Sequence, residues 1–277
     1  MTVLEFSLVV CAGSLIAGFL GALTGLGGGG LLVPMLLLLG VDIHYAIGAS
    51  LVSVIATSSG AAAAYVREGF SNIRIGMFLE IATTTGALVG ATLATHVSGG
   101  AIATVFGLVL IGSAYLSRKP RSKEEREAPQ DPLATKLRMN GSFPDREGTR
   151  EYNVQHVPAG LSLMFVAGAL SGLLGIGSGA MKVLAMDRAM KIPFKVSTTT
   201  SNFMIGVTAA ASAGIYLSRG YIDPGLSMPV MLGVLGGSLL GARVLVRAEI
   251  KWLRRVFSVV IVALGIEMLY KGLSGKL

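Results

Sequence analysis

Long apolar runs, nearly free of charge, recur along the whole chain and constrain its fold more than any other feature. They cover residues 6–23, 31–39, 45–66, 73–95, 101–116, 158–174, 180–190, 196–217, 226–246 and 253–270. A water-soluble core does not need such runs; helices buried in hydrocarbon do. Most hold 17–23 residues, enough to cross roughly 30 Å of hydrocarbon as helix. Two, 31–39 and 180–190, would reach only about half-way at ~1.5 Å per residue. The expected fold is an all-α polytopic membrane protein of a bacterial-type inner membrane. No Lys or Arg precedes the first run, so it reads as a retained helix rather than a cleaved signal.

Only 14% of residues are charged, and the 38 glycines sit largely inside apolar runs, where they let helix backbones approach closely. The net charge of +8 comes from basic residues at the ends of those runs. That placement fits cytoplasmic anchors over anionic lipid and not nucleic-acid binding. The single cysteine, Cys11, excludes an internal disulfide and a Cys-based metal site. His44 and His96 fall in short loops and His156 ends a polar stretch, so no ligand spacing arises. No metal or other cofactor is expected, and nothing supports an enzyme.

The two short runs occupy matching places, which reveals a duplication. The stretch 18–24 continues into Gly25-Leu26-Gly27-Gly28-Gly29-Gly30, and 168–174 continues into Gly175-Ile176-Gly177-Ser178-Gly179. Tyr65 and Gly69-Phe70 match Tyr216 and Gly220-Tyr221; Gly90-Ala91 matches Gly241-Ala242; Val105-Phe106 matches Val256-Phe257. The offset stays near 150 residues. The chain therefore divides into a first membrane repeat (1–117), a polar linker (118–157) and a second membrane repeat (158–277), with about five helical elements in each repeat. An odd number of spans per half makes the repeats inverted. With the N-terminus outside and every element crossing, Arg67, Arg118, Lys119, Arg121, Lys123, Lys191, Lys195, Arg247 and Lys251 fall inside, against Arg219, Lys271 and Lys276 outside. The positive-inside rule thus favours ten membrane elements over eight. In the linker, 137–143 and 149–157 lean toward strands around a turn-rich segment, predicting a small cytoplasmic β-hairpin. It would act as a lid, a docking surface or a tether.

The glycine-rich turns are the strongest functional signal. Non-helical backbone at membrane depth requires protein or a water-filled cavity around it. A helix that starts there offers its unpaired N–H groups to an anion. Interrupted segments at matching places in inverted halves point to a transporter site. Gly27, Gly28, Gly29, Gly30, Gly175, Gly177, Ser178 and Gly179 are therefore candidate anion contacts; tight helix packing is the competing role. Hydroxyl-rich helix starts add Ser50 and Ser53 in the first half and Thr199, Ser201 and Asn202 in the second, with capping and interhelical packing as the alternative. Glu80, inside an apolar run, is a coupling candidate. Lys182 either attracts the anion, snorkels, or pairs with Asp187. Arg243 and Glu267 sit near helix ends as anchors.

On these residues the chain resembles the sulfite exporter TauE/SafE family, also called the toluene-sulfonate uptake permease superfamily. The resemblance rests on 18–34 with Ala46-Ile47-Gly48-Ala49-Ser50, and more closely on 170–179 with the stretch from Lys195 to Met204. It covers almost the whole chain. One departure is Ser178, where the family often has glycine. The resemblance implies a carrier of sulfite, sulfonates or other organic anions. The expected function is secondary transport of a small sulfur-containing anion by alternating access, with the bilayer and a co-transported proton or cation as partners and a homodimer left open. A passive anion channel, or a membrane anchor whose linker binds a cytoplasmic partner, are the alternatives.

Overall fold

The computed structural model of the protein describes residues 2–24, 28–67, 69–94, 97–118, 131–145, 148–175, 177–247 and 250–274. The first half holds α1 (Val3–Thr24), the short α2 (Gly29–Leu38), α3 (Ile43–Arg67), α4 (Ile73–Leu93) and α5 (Gly99–Arg118). The linker follows with α6 (Pro132–Lys136) and strands β1 (Gly141–Asp145) and β2 (Gly148–Tyr152). The second half holds α7 (Val157–Leu174), the short α8 (Gly179–Leu184) running into a π-helical turn (Ala185–Ala189), α9 (Phe194–Ser218), α10 (Pro224–Arg247) and α11 (Ile250–Leu273). Each apolar run has become a helix, and the two short runs have become the two short helices.

The protein is a polytopic all-helical membrane protein. Among the described residues, five helices are long and apolar enough to cross a bilayer: α1, α3, α4, α7 and α10. Their burial pattern suits lipid. On α4 the inward face carries Ile75 and Leu79 near the hairpin end and is otherwise small or polar, with Gly76, Glu80, Thr83, Gly86, Ala87, Gly90 and Ala91, while Met77, Ile81 and Leu88 project outward and exposed. Water offers no driving force between helices in lipid, so close packing must hold them together.

Glycines supply that packing in stripes four residues apart. On α10, Gly233, Gly237 and Gly241 press on the Cys11, Leu15 and Phe19 carbonyls of α1. Between α4 and α7, Gly86 and Gly90 press on Phe165 and Ala169, while Gly168 and Gly172 press back on Thr83 and Ala87. Gly107, Gly265 and Gly272 do the same between α5 and α11. The main helix pairs are α1 with α10, α4 with α7, α5 with α11, α3 with α9, α3 with α10 and α4 with α9. Exchanging the five elements of one half with the five of the other maps this set of pairs onto itself.

The linker forms a β-hairpin, β1 antiparallel to β2 with Gly141 opposite Tyr152 and Asp145 opposite Gly148. Its strands are shorter than the sequence indicates. Residues 137–140 do not extend β1, because Leu137 closes α6 and the Asn140 side chain is committed to the Val154 amide (2.9 Å). The mixed-charge run 118–127 of the linker lies almost wholly outside the described residues. The hairpin shares a buried core with the membrane helices: Met139, Phe143 and Val154 pack with Phe70, Ile75, Leu79, Met164, Met186 and Met190. Two polar ties reinforce it, from the Asn72 side chain to the Met139 carbonyl and from the Gln155 amide to the Met190 carbonyl, both 3.0 Å.

Candidate functional site

The two glycine turns converge on α3 about one helical turn apart. Gly28 (φ 74°) caps α2 and lies beside the Ala17 carbonyl and Thr57. Gly177 (φ 69°) lies beside Val54 of α3 and Ile205 of α9. Both hold left-handed backbone, which glycine adopts without a steric penalty. Ser178, the N-cap of α8, also takes a left-handed conformation (φ 46°). Gly27 lies outside the described residues. Gly28, Gly29, Gly30, Ser50, Ser53, Gly175, Gly177, Ser178, Gly179, Lys182, Thr199, Ser201 and Asn202 are all buried.

The long central helices cross-link the turns. The Ser50 hydroxyl, on α3 of the first half, donates to the Gly175 carbonyl of the second (2.8 Å). The Asn202 amide, on α9 of the second half, donates to the Ala22 carbonyl of the first (2.9 Å). Ser201 donates to the Gly179 carbonyl, and Ser53 to the Ser50 carbonyl. The Ser50, Ser53 and Ser201 hydroxyls, candidate anion donors, are therefore engaged with backbone carbonyls. Thr199 lies apart from the turns and donates to the Phe70 carbonyl (2.9 Å). Buried polar atoms without a hydrogen-bond partner inside the fold include Ser171 Oγ and Ser178 Oγ at the second glycine turn and Thr198 Oγ1 and Asn202 Oδ1 on α9. An unsatisfied buried polar atom costs about 1–3 kcal/mol, so these atoms favour a bound polar species.

Lys182 is wholly buried, one turn into α8. It neither snorkels nor pairs with Asp187, which sits 3.5 Å from Arg188 Nε. Its Nζ faces Glu80 Oε2 of α4 at 3.6 Å. Between them stands Thr208 of α9, whose hydroxyl accepts from Lys182 Nζ and donates to Glu80 Oε1. Thr84 also donates to Glu80 Oε1 (3.2 Å). The sequence reading missed Thr208 and Thr84. The repeat offset held a signal for the first, because Thr57, beside Gly28, is its counterpart 151 residues earlier.

Two cavities open toward opposite ends of α4. One, of about 310 Å³, lies between the Gly69–Arg74 stretch and the hairpin, lined by Arg74, Arg138, Asn140 and Tyr152. The other, of about 60 Å³, is lined by His44, Ala91, Ala94, Ile215, Tyr216, Arg219 and Tyr221. His44 lies in the first turn of α3, not in a loop, and stacks on Tyr221 at 4.9 Å. His96 lies outside the described residues. Glu267 pairs with Lys271 one turn on (3.1 Å). Among the described residues, no three His, Cys, Asp or Glu side chains converge as a metal site.

The family profile described as sulfite exporter TauE/SafE matches residues 10–268. The chain belongs to the sulfite exporter TauE/SafE family. Relatives of the chain include the "Probable membrane transporter protein YunE" of Bacillus subtilis, 27% identical over 98% of this chain and 99% of that protein. YdhB of the same organism, with the same descriptive name, is 28% identical over 83% of this chain and 84% of that protein. A "Probable membrane transporter protein" of Xylella fastidiosa is 25% identical over 98% and 97%. No solved structure matches. As a TauE/SafE protein, this chain is a multi-pass membrane transporter.

Proposed function

We propose that this chain is a secondary transporter for a small sulfur-containing anion, sulfite or an organosulfonate, moved across a bacterial inner membrane by alternating access between two inverted halves. The reciprocal cross-links, Ser50 to Gly175 and Asn202 to Ala22, carry this reading. They tie each half's central helix to the other half's broken segment, which suits two bodies that rock about a shared site. The self-matching set of helix pairs supports two equivalent halves, and an odd number of crossing elements in each would make them inverted. Lys182, buried beside one turn, provides the positive charge an anion needs in low dielectric. Cavities with arginines at both ends of α4 fit approach of an anion from either side.

The test is flux in liposomes. Purified protein should carry labelled sulfite or methanesulfonate faster than empty vesicles, with saturation. Flux that never saturates indicates a channel. No flux for sulfite, sulfonates or simple carboxylates, under either direction of pH gradient, removes the transport reading for these anions. Loss of cellular function on deleting 121–151, with glycine-turn variants unaffected, indicates an anchor instead.

A further inference from the structure

The Glu80–Thr208–Lys182 cluster spans the two halves. Glu80 belongs to the first, Lys182 and Thr208 to the second, and Lys182 stands one turn past the Gly177–Gly179 bend. A buried ion pair is a poor source of stability because desolvation offsets its Coulomb gain. Ionisable groups inside a membrane protein mark function by default. The reason to keep this pair must lie in what happens when it parts.

Resting on the anion-transport reading, we infer that Glu80 is an exchangeable counterion: a proton taken up by its carboxylate releases Lys182 to an incoming oxyanion, so that anion and proton bind and move together. The charge balance requires this order. With Glu80 ionised, the cluster is neutral, and an added anion would be a net buried negative charge beside a carboxylate 3.6 Å from the lysine. Protonation forms one O–H bond on Glu80 and breaks no covalent bond in the protein. Lys182 then has no counterion, and a monovalent oxyanion restores neutrality by accepting from Nζ. Thr208 permits the exchange, since its hydroxyl lies 3.4 Å from the Met204 carbonyl and can turn to it when Glu80 no longer accepts.

Among the described residues, no other charge faces Glu80. On its own helix, Arg74 points to the Arg138 carbonyl at the hairpin end (3.4 Å). Helix α7 has no titratable side chain. On α9, Lys195 sits over the Phe70 ring in the first turn and Tyr216 donates to the Gly172 carbonyl. Asp187, beyond α8, is beside Arg188.

Methanesulfonate is the suitable probe, because it remains a monoanion at any pH the protein tolerates. In proteoliposomes, an inward proton gradient should drive its accumulation about tenfold per pH unit, the equivalent of 1.36 kcal/mol. A trapped pH dye should record about one proton entering per anion. Glu80→Gln should still exchange methanesulfonate for methanesulfonate but lose gradient-driven accumulation, and Glu80→Asp should recover it. Glu80→Gln with Lys182→Met, free of both buried charges, should insert and bind no methanesulfonate. A parent that transports without moving protons overturns this inference alone, even if no variant folds. So does a Glu80→Gln protein that accumulates like the parent, or a double variant that binds like it. A parent that carries none of sulfite, methanesulfonate and acetate overturns the transport reading for these anions, and the inference with it.

Discussion

A Cβ added to Gly90 of α4 would stand 1.8 Å from the carbonyl oxygen of Ala169 on α7. Both groups are backbone, so neither can swing aside. Gly90→Val should therefore cost more than the ~1–3 kcal/mol typical of overpacking. The expected readout is loss of the monodisperse, folded protein on size exclusion in detergent. Gly112→Ala is the control: nothing lies within 4 Å of a Cβ there, and its thermal midpoint should match the parent's.

The hairpin's attachment should depend on acid through Asp131. Its carboxylate accepts from the Val157 amide (3.0 Å) and the Leu133 amide (2.8 Å), and the bond from Val157 chiefly holds its pKa below the usual carboxylate value. The folded state thus binds this proton more weakly than the unfolded one. Its stabilisation is present above the ordinary aspartate pKa of about 3.9 and fades as pH falls through the lower folded value. The protection of the Val157 amide, its exchange rate compared with the intrinsic rate at each pH, should fall as the parent is acidified through that window. In Asp131→Asn the acid dependence should vanish.

The run lengths alone made the helices on either side of the linker legible, two short ones among them, because a half-length apolar run after a glycine turn has few ways to fold. The hairpin was legible from its turn residues, but Asn140 and Leu137 read as strand when their side chain and cap serve neighbours. The glycine turns were legible as bends. Their hydroxyl neighbours were legible only as either anion donors or packing groups, since a sequence does not show that the acceptor for Ser50 lies 125 residues away on Gly175. Lys182 and Glu80 each stood out as a charge in an apolar run. Their pairing did not, because it joins two halves 102 positions apart, and the nearer Asp187 offered a local partner that Arg188 takes.

The arrangement of the ends gives a labelling prediction. Hairpin residue Glu151 and Asp223, between α9 and α10, are both exposed, and they lie at opposite ends of the helices. In a Cys11→Ser background, Asp223→Cys should react with an impermeant thiol reagent in intact cells, and Glu151→Cys should react only after the cells are opened. Equal labelling of the two in intact cells would contradict a cytoplasmic hairpin.

The reciprocal cross-links give the last prediction. Ser50→Ala leaves the Gly175 carbonyl without its hydroxyl partner, and Asn202→Ala does the same to the Ala22 carbonyl. Asn202→Ala also removes Oδ1, an acceptor without a partner inside the fold. Leaving a buried carbonyl unpaired costs about 1–3 kcal/mol, so both variants should lower the thermal midpoint in detergent. Their transport should differ. If the turns form the anion site, Asn202→Ala loses substrate affinity as well as stability, seen as a raised KM, because it removes the side-chain N–H donors, now turned to the Ala22 carbonyl, that an anion could accept from. Ser50→Ala removes no unpaired atom and should change the maximal rate, through the rocking of the halves, more than KM. If both variants lose stability and neither shifts KM, the two bonds only pack helices. The anion would then be sought at Lys182 alone.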